Sequence, residues 1–101
     1  ADCEIAWTSF KSSARIFEYA GILANKGKIH PTQKPIKLYE WIFKNYTNEG
    51  DLILDTHLGS GSSIIAAHRA RVNFTGFEID KEYYKKAEMR YKIFISQGVL
   101  F

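Results

Sequence analysis

With 101 residues, 46% of them hydrophobic and 15% aromatic, the chain is long enough for one small folded domain and too rich in aromatics for a disordered tail. Its longest unbroken apolar run, Ile64-Ile-Ala-Ala67, is too short to span a bilayer, and no signal-peptide pattern appears. A single cysteine, Cys3, excludes an intramolecular disulfide and suits a reducing cytoplasm, and the net charge of +3 is too small to define a partner. The charge is nevertheless uneven. Between Lys11 and Lys37 six basic residues stand against one acid, Glu18, which fits either a phosphate-facing segment or, more commonly, a solvated basic loop.

In chain order, Glu4–Phe10 and Arg15–Tyr19 are rich in β-formers and flank a polar connection, which predicts an N-terminal hairpin. Residues 21–28 carry Gly21, Asn25 and Gly27 and read as a loop. Pro35 suits the opening of a helix, and Tyr39, Ile42, Phe43 and Tyr46 then follow helical spacing until Asn48-Glu-Gly50 ends it. Leu52–Asp55 reads as a short buried strand, Ser62–Ala70 as a helix and Asn73–Glu78 as a second strand. Asp80 looks like the N-cap of a last helix, with Tyr84, Ala87, Tyr91 and Phe94 as its apolar stripe. The second half is thus strand, helix, strand, helix, so the fold class is α/β with two parallel neighbouring strands. The absence of an initial methionine and the strand-like Ile5-Ala-Trp7 at the very start predict a fragment of a longer protein.

The segment Asp55-Thr-His-Leu-Gly-Ser-Gly-Ser-Ser63 joins the first strand to its helix. Gly59 and Gly61 allow backbone angles closed to other residues and let a ligand approach the main chain. Unpaired N–H groups at the helix start, near Ser62 and Ser63, favour an anionic group. Glu78 follows at the end of the next apolar run, where a carboxylate can accept hydrogen bonds from two ribose hydroxyls. These features predict a nucleoside-containing cofactor at the carboxyl edge of the sheet.

Three elements in series, His30-Pro-Thr-Gln-Lys-Pro35, Asp55-x-x-x-Gly-Ser-Gly61 and Gly76-x-Glu-x-Asp-x-x-Tyr83-Tyr84, make the sequence resemble the DNA amino-methyltransferases. Those enzymes transfer a methyl group from S-adenosyl-L-methionine to adenine N6 or cytosine N4. The motif order is similar to their permuted β class, including phage-type members, and the resemblance covers roughly half the chain. It implies a partial Rossmann-like methyltransferase sheet with flanking helices. Residues 1–29 would form a hairpin and loop, and 30–101 the region that binds S-adenosyl-L-methionine. Thr32, Gln33 and Lys34 resemble the element reaching the methionine carboxylate and amino group. Asp55, Gly59, Ser60, Gly61, Ser62 and Ser63 resemble the loop and helix start beneath the methionine moiety, and Thr56, within that loop, is a further cofactor-binding candidate. Glu78 matches the ribose-gripping acid, and Ile79 the apolar residue against the adenine.

Two departures from the family pattern stand out. Where members carry proline and phenylalanine after the first acid, this chain has Thr56 and His57. The short Asp/Asn/Ser-Pro-Pro-Tyr/Phe loop that receives the target amine is absent, since the only prolines, Pro31 and Pro35, are not adjacent. No catalytic residue is therefore assigned. The expectation is a cofactor-binding part, in a bacterial or phage-infected cytoplasm, that reaches double-stranded DNA through the full-length enzyme. A second chain or the missing half would cover an open strand edge. His30 reads as structural, His57 and His68 lack metal-ligand spacing, and no membrane contact is expected. Two other readings stay open: a nicotinamide-dependent oxidoreductase, although Ile64 replaces the third glycine of its fingerprint, and a non-catalytic nucleic-acid module built on the basic stretch.

Overall fold

The computed structural model describes residues 6–11, 15–18 and 33–97. Within them the order is helix α1 (Ile36–Tyr46), strand β1 (Leu52–Asp55), helix α2 (Ser62–Ala70), strand β2 (Asn73–Gly76) and helix α3 (Lys81–Gln97). No described helix is long and apolar enough to cross a membrane.

Pro35 is the N-cap of α1, extended at φ −68° and ψ 146°. Its ring cannot donate, but its carbonyl accepts the Leu38 N–H at 3.1 Å and so starts the first turn. The helix stops where Thr47 turns extended and its hydroxyl donates to the Phe43 carbonyl at 2.7 Å. A tight turn follows, in which Gly50 takes φ 91° and Asp51 accepts the Asn48 N–H at 2.8 Å. It feeds directly into β1.

β1 and β2 are parallel neighbours, paired from Leu52 opposite Asn73 to Asp55 opposite Gly76, with α2 between them in the chain. The second strand is shorter than the predicted Asn73–Glu78. Its ladder ends because β1 runs out: the Phe77 N–H donates to the Asp55 carbonyl at 2.9 Å, and the Phe77 carbonyl then accepts from Leu58 in the glycine turn at 2.8 Å. Glu78 therefore lies just beyond the strand, beside the turn.

The core sits on one face of this sheet. Ala66 and Ala67 of α2 are fully buried and have no side chain beyond Cβ, which lets Phe43 of α1 pack close against them. Ile36, Tyr39 and Ile42 of α1 and Ile53 and Phe74 of the strands complete the cluster. An Arg69–Glu40 ion pair at 2.6 Å sits on the rim of the α1–α2 contact, where solvent keeps its contribution small. The other face of the sheet is open: Leu52 is 72% and Leu54 63% exposed.

The predicted hairpin is corrected where it can be followed. Residues 6–11 and 15–18 form no strand, and the rest of Glu4–Tyr19 lies outside the described residues, as does the predicted loop at 21–28. What draws the described part away from the sheet is aromatic surface on α1. Phe10 packs on Tyr46 with ring centroids 5.1 Å apart, and Phe17 on Trp41 at 5.7 Å. Arg15 donates to Asn45 Oδ1 at 3.0 Å and lies over the Tyr46 ring.

In α3 the predicted cap is present, with Asp80 Oδ1 accepting the Tyr83 N–H at 3.0 Å. The buried stripe is rotated from the predicted one. Tyr84 is 44% exposed, whereas Tyr83, Ala87, Arg90, Tyr91 and Phe94 are the covered positions. Spacing of four, three and four residues puts Tyr83, Ala87, Arg90 and Phe94 on one face, and a charged residue stands in the middle of it.

Candidate functional site

The site is built where the two strands end. After Asp55 the chain makes a turn whose geometry depends on two left-handed residues, Gly59 at φ 57° and Gly61 at φ 84°. Gly61 is the N-cap of α2, and an added Cβ would lie 3.2 Å from the Ala87 Cβ of α3. A side chain at position 61 is thus opposed twice, by backbone conformation and by the neighbouring helix.

Two carboxylates hold this turn. Asp55 Oδ1 accepts the His57 N–H at 3.0 Å, and Oδ2 accepts the Ser63 hydroxyl at 2.6 Å. Both ends of the glycine loop are thereby fixed to the end of β1. Glu78 acts across the gap from β2: Oε1 accepts the Gly59 N–H at 2.8 Å and Oε2 accepts the Asp80 N–H at 2.9 Å. Each carboxylate oxygen can accept twice, so Glu78 keeps acceptor capacity on both oxygens for a diol. Thr56 and His57 face each other, with Oγ1 2.8 Å from Nδ1.

Beside Glu78 lies a cleft of about 370 Å³. Its walls include Gln33, Lys34, Gly59, Ser60, Ser62 and Glu78 among the predicted site residues. Tyr39, His57 and Leu58 also line it. The structure thus brings together the residues before α1, the glycine turn and the acid after β2, which are far apart in sequence. Asp55 and Ser63 stand behind the turn and support it. Thr56 is exposed, and Gly61 is buried at the helix start. Ile79 is fully exposed and does not line the cleft. Thr32 lies outside the described residues.

The sequence reading missed the cleft roles of Tyr39 and Leu58 and, above all, Arg90. Tyr39 was legible only as one more apolar position on α1. Arg90 carries no motif signal, yet its Nη1 shares its two N–H bonds among the Ser60 carbonyl at 3.1 Å, the Ser60 hydroxyl at 3.2 Å and the Ser62 hydroxyl at 2.9 Å. Burial pulls its guanidinium below the usual arginine value. Among the described residues no group of three or more histidine, cysteine or acidic side chains is placed to hold a metal.

A larger hollow of about 570 Å³ lies between α1 and α2, lined by Trp41, Phe43, Lys44 and Arg69 among others. It has none of the glycine turn's backbone donors and no carboxylate gripping a loop. The glycine turn and the Glu78 carboxylate line the smaller cleft.

The chain is 48% identical over 61 residues to the Type II methyltransferase M2.DpnII of Streptococcus pneumoniae, a match covering 60% of this chain and 23% of that protein. Against the Type II methyltransferase M.HpaI of Haemophilus parainfluenzae it is 37% identical over 79 residues, covering 76% of this chain and 25% of the relative. The chain therefore spans about a quarter of the length of the curated relatives it matches. Among solved structures, the M1.HpyAVI–SAM complex superposes with a TM-score of 0.62 at 40% identity, over 64% of this chain and 32% of that one. The cytosine-N4-specific PvuII DNA methyltransferase gives 0.60 at 28% identity, over 78% and 29%. The fold is accordingly part of the Rossmann-like methyltransferase sheet, and these relatives give the nicotinamide reading no support. Residues 6–89 match the family N6_N4_Mtase, described as DNA methylase, and the chain belongs to that family.

Proposed function

We propose that this chain is the cofactor-binding part of a DNA methyltransferase that uses S-adenosyl-L-methionine to methylate an exocyclic amine, adenine N6 or cytosine N4. One observation carries the reading: the Glu78 carboxylate is held by the Gly59 and Asp80 N–H groups at the mouth of the cleft, with lone pairs left on both oxygens. That is the chemistry a ribose diol requires. The names of the relatives, Type II methyltransferases and a SAM complex, support the same cofactor.

In this reading Glu78 receives the ribose hydroxyls, the glycine turn lies under the methionine portion, and Gln33 and Lys34 meet its charged end. Thr32 belongs with them by its place in the motif. When bound, the cofactor supplies an electrophilic sulfonium methyl. The chain's own contribution is to fix the cofactor's position, because holding donor and acceptor in line is the larger part of such a transfer. The target base would be flipped out of double-stranded DNA to reach it. The residues that receive the amine are not in this sequence, which has no adjacent prolines. The chain alone is therefore expected to bind cofactor and to transfer little or no methyl group to DNA. Radiolabelled methyl transfer by the chain and by the full-length enzyme checks this, and substantial transfer by the chain alone would refute it.

The open face of the sheet supports a further part of the reading. Strands of parallel sheets are ordinarily covered on both faces, and here Leu52, Leu54 and Phe77 are more than half exposed. Another part of the same enzyme, or a second copy of this chain, would cover them. Isolated at tens of micromolar, the chain is expected to self-associate, and a clean monomer by light scattering would count against that.

A further inference from the structure

Arg90 is the one charged side chain on the covered face of α3, and the methyltransferase motifs end before it, at Tyr84. The two N–H bonds of its Nη1 are shared among three oxygens of Ser60 and Ser62, which are 4% and 2% exposed and whose hydroxyls lie 3.3 Å apart. No acid pairs with it among the described residues. A half-buried cation without a counter-ion is an expensive way to fill space, since desolvation is offset only by what the donors reach. What they reach is the turn on the cleft wall. One turn of helix away, Ala87 meets Gly61 and fixes how closely α3 approaches.

Building on the cofactor reading above, we propose that Arg90 is the positioning residue of the cofactor turn, holding the Ser60 carbonyl and both hydroxyls so that the Gly59–Ser62 backbone is ordered before the ligand arrives. The ligand then does not have to order the loop itself, and the free energy otherwise spent on ordering is retained as affinity. Ser60 and Ser62 face the cleft on one side and Arg90 on the other, so the arginine acts on the ligand through them and does not touch it.

The test compares the natural chain with Arg90→Met, which keeps the aliphatic stem, and Arg90→Lys, which keeps charge and three donors on one nitrogen. Each is titrated with S-adenosyl-L-methionine, and amide hydrogen exchange is followed at residues 59–62. The methionine variant is expected to bind roughly tenfold to a hundredfold more weakly, with faster exchange confined to those amides, and the lysine variant to recover most of both. A folded methionine variant that binds as tightly as the natural chain would overturn the proposal. Should that variant lose its fold, the lysine variant decides. Affinity within about threefold of natural, with the 59–62 amides still protected, upholds the role. Unchanged affinity with those amides exchanging freely overturns it. If the natural chain itself does not bind the cofactor, the cofactor reading falls and this role falls with it.

Discussion

Replacing Glu78 with alanine is expected to weaken S-adenosyl-L-methionine binding by roughly tenfold to a hundredfold, because a hydrogen-bonded ionised acceptor contributes about 1.5–3 kcal/mol. The substitution removes two things at once. It takes away the proposed acceptor for the ribose diol, and it frees the Gly59 and Asp80 N–H groups that the carboxylate holds at 2.8 and 2.9 Å. Both amides lie near solvent, so water can replace part of the loss and the stability cost should be only about 1 kcal/mol. Glu78→Gln separates charge from shape. A side-chain amide must turn its NH₂ toward one of the two backbone donors, so it loses one of the bonds and leaves one oxygen for the diol. Calorimetric titration with urea unfolding alongside measures both effects. A Glu78→Gln variant with natural affinity would mean that the carboxylate serves only the turn.

Gly61→Ala is expected to destabilise the fold by about 1–3 kcal/mol, combining the cost of a side chain in the left-handed region with crowding at the α2–α3 contact. The residue holds φ 84° at the cap of α2, and the new methyl would stand 3.2 Å from the Ala87 Cβ and 3.6 Å from its Cα and carbonyl oxygen. The crowding part has a partner that can be removed. Ala87→Gly alone should cost about 1 kcal/mol as a helix-interior glycine, yet in combination with Gly61→Ala it should recover the steric share and leave the conformational share. A double-mutant cycle by urea denaturation reads the coupling directly. Strict additivity would show that α3 does not press on the turn at Gly61 and that the cost is conformational alone.

The parts of the fold that were legible in sequence are those where one local rule acts without competition. The helix Ser62–Ala70 lies where the sequence reading put it because the glycine turn before it and Arg71 after it, in the left-handed region at φ 58°, leave little choice of ends. Asp80 caps because its side chain reaches only its own helix. The errors arise where tertiary contacts decide. Asn73–Glu78 was too long because the ladder depends on where β1 stops, and Leu58 takes over the pairing at Phe77. The N-terminal β-formers carry the right residues for strands, but Phe10 and Phe17 find aromatic partners on α1.

The candidate site follows the same division. Gly59, Glu78 and the Gln33-Lys34 pair were readable because each sits at a fixed place in a motif, and they do meet at one cleft. Asp55 and Ser63 sit behind that cleft, joined at 2.6 Å, so the motif mixes residues at the cleft surface with residues that hold the loop. Arg90 was invisible to pattern reading because an apolar stripe is searched for apolar residues. A scan of α3 at four-three-four spacing from Tyr83 would have flagged it as the one charge on a covered face.

Calorimetric titration of the chain with S-adenosyl-L-methionine, with NAD as the comparison, tests the central claim most directly. Saturable one-to-one binding of S-adenosyl-L-methionine, with none for NAD, is the predicted result. The claim would be contradicted if the folded chain failed to bind it, or if NAD bound equally well.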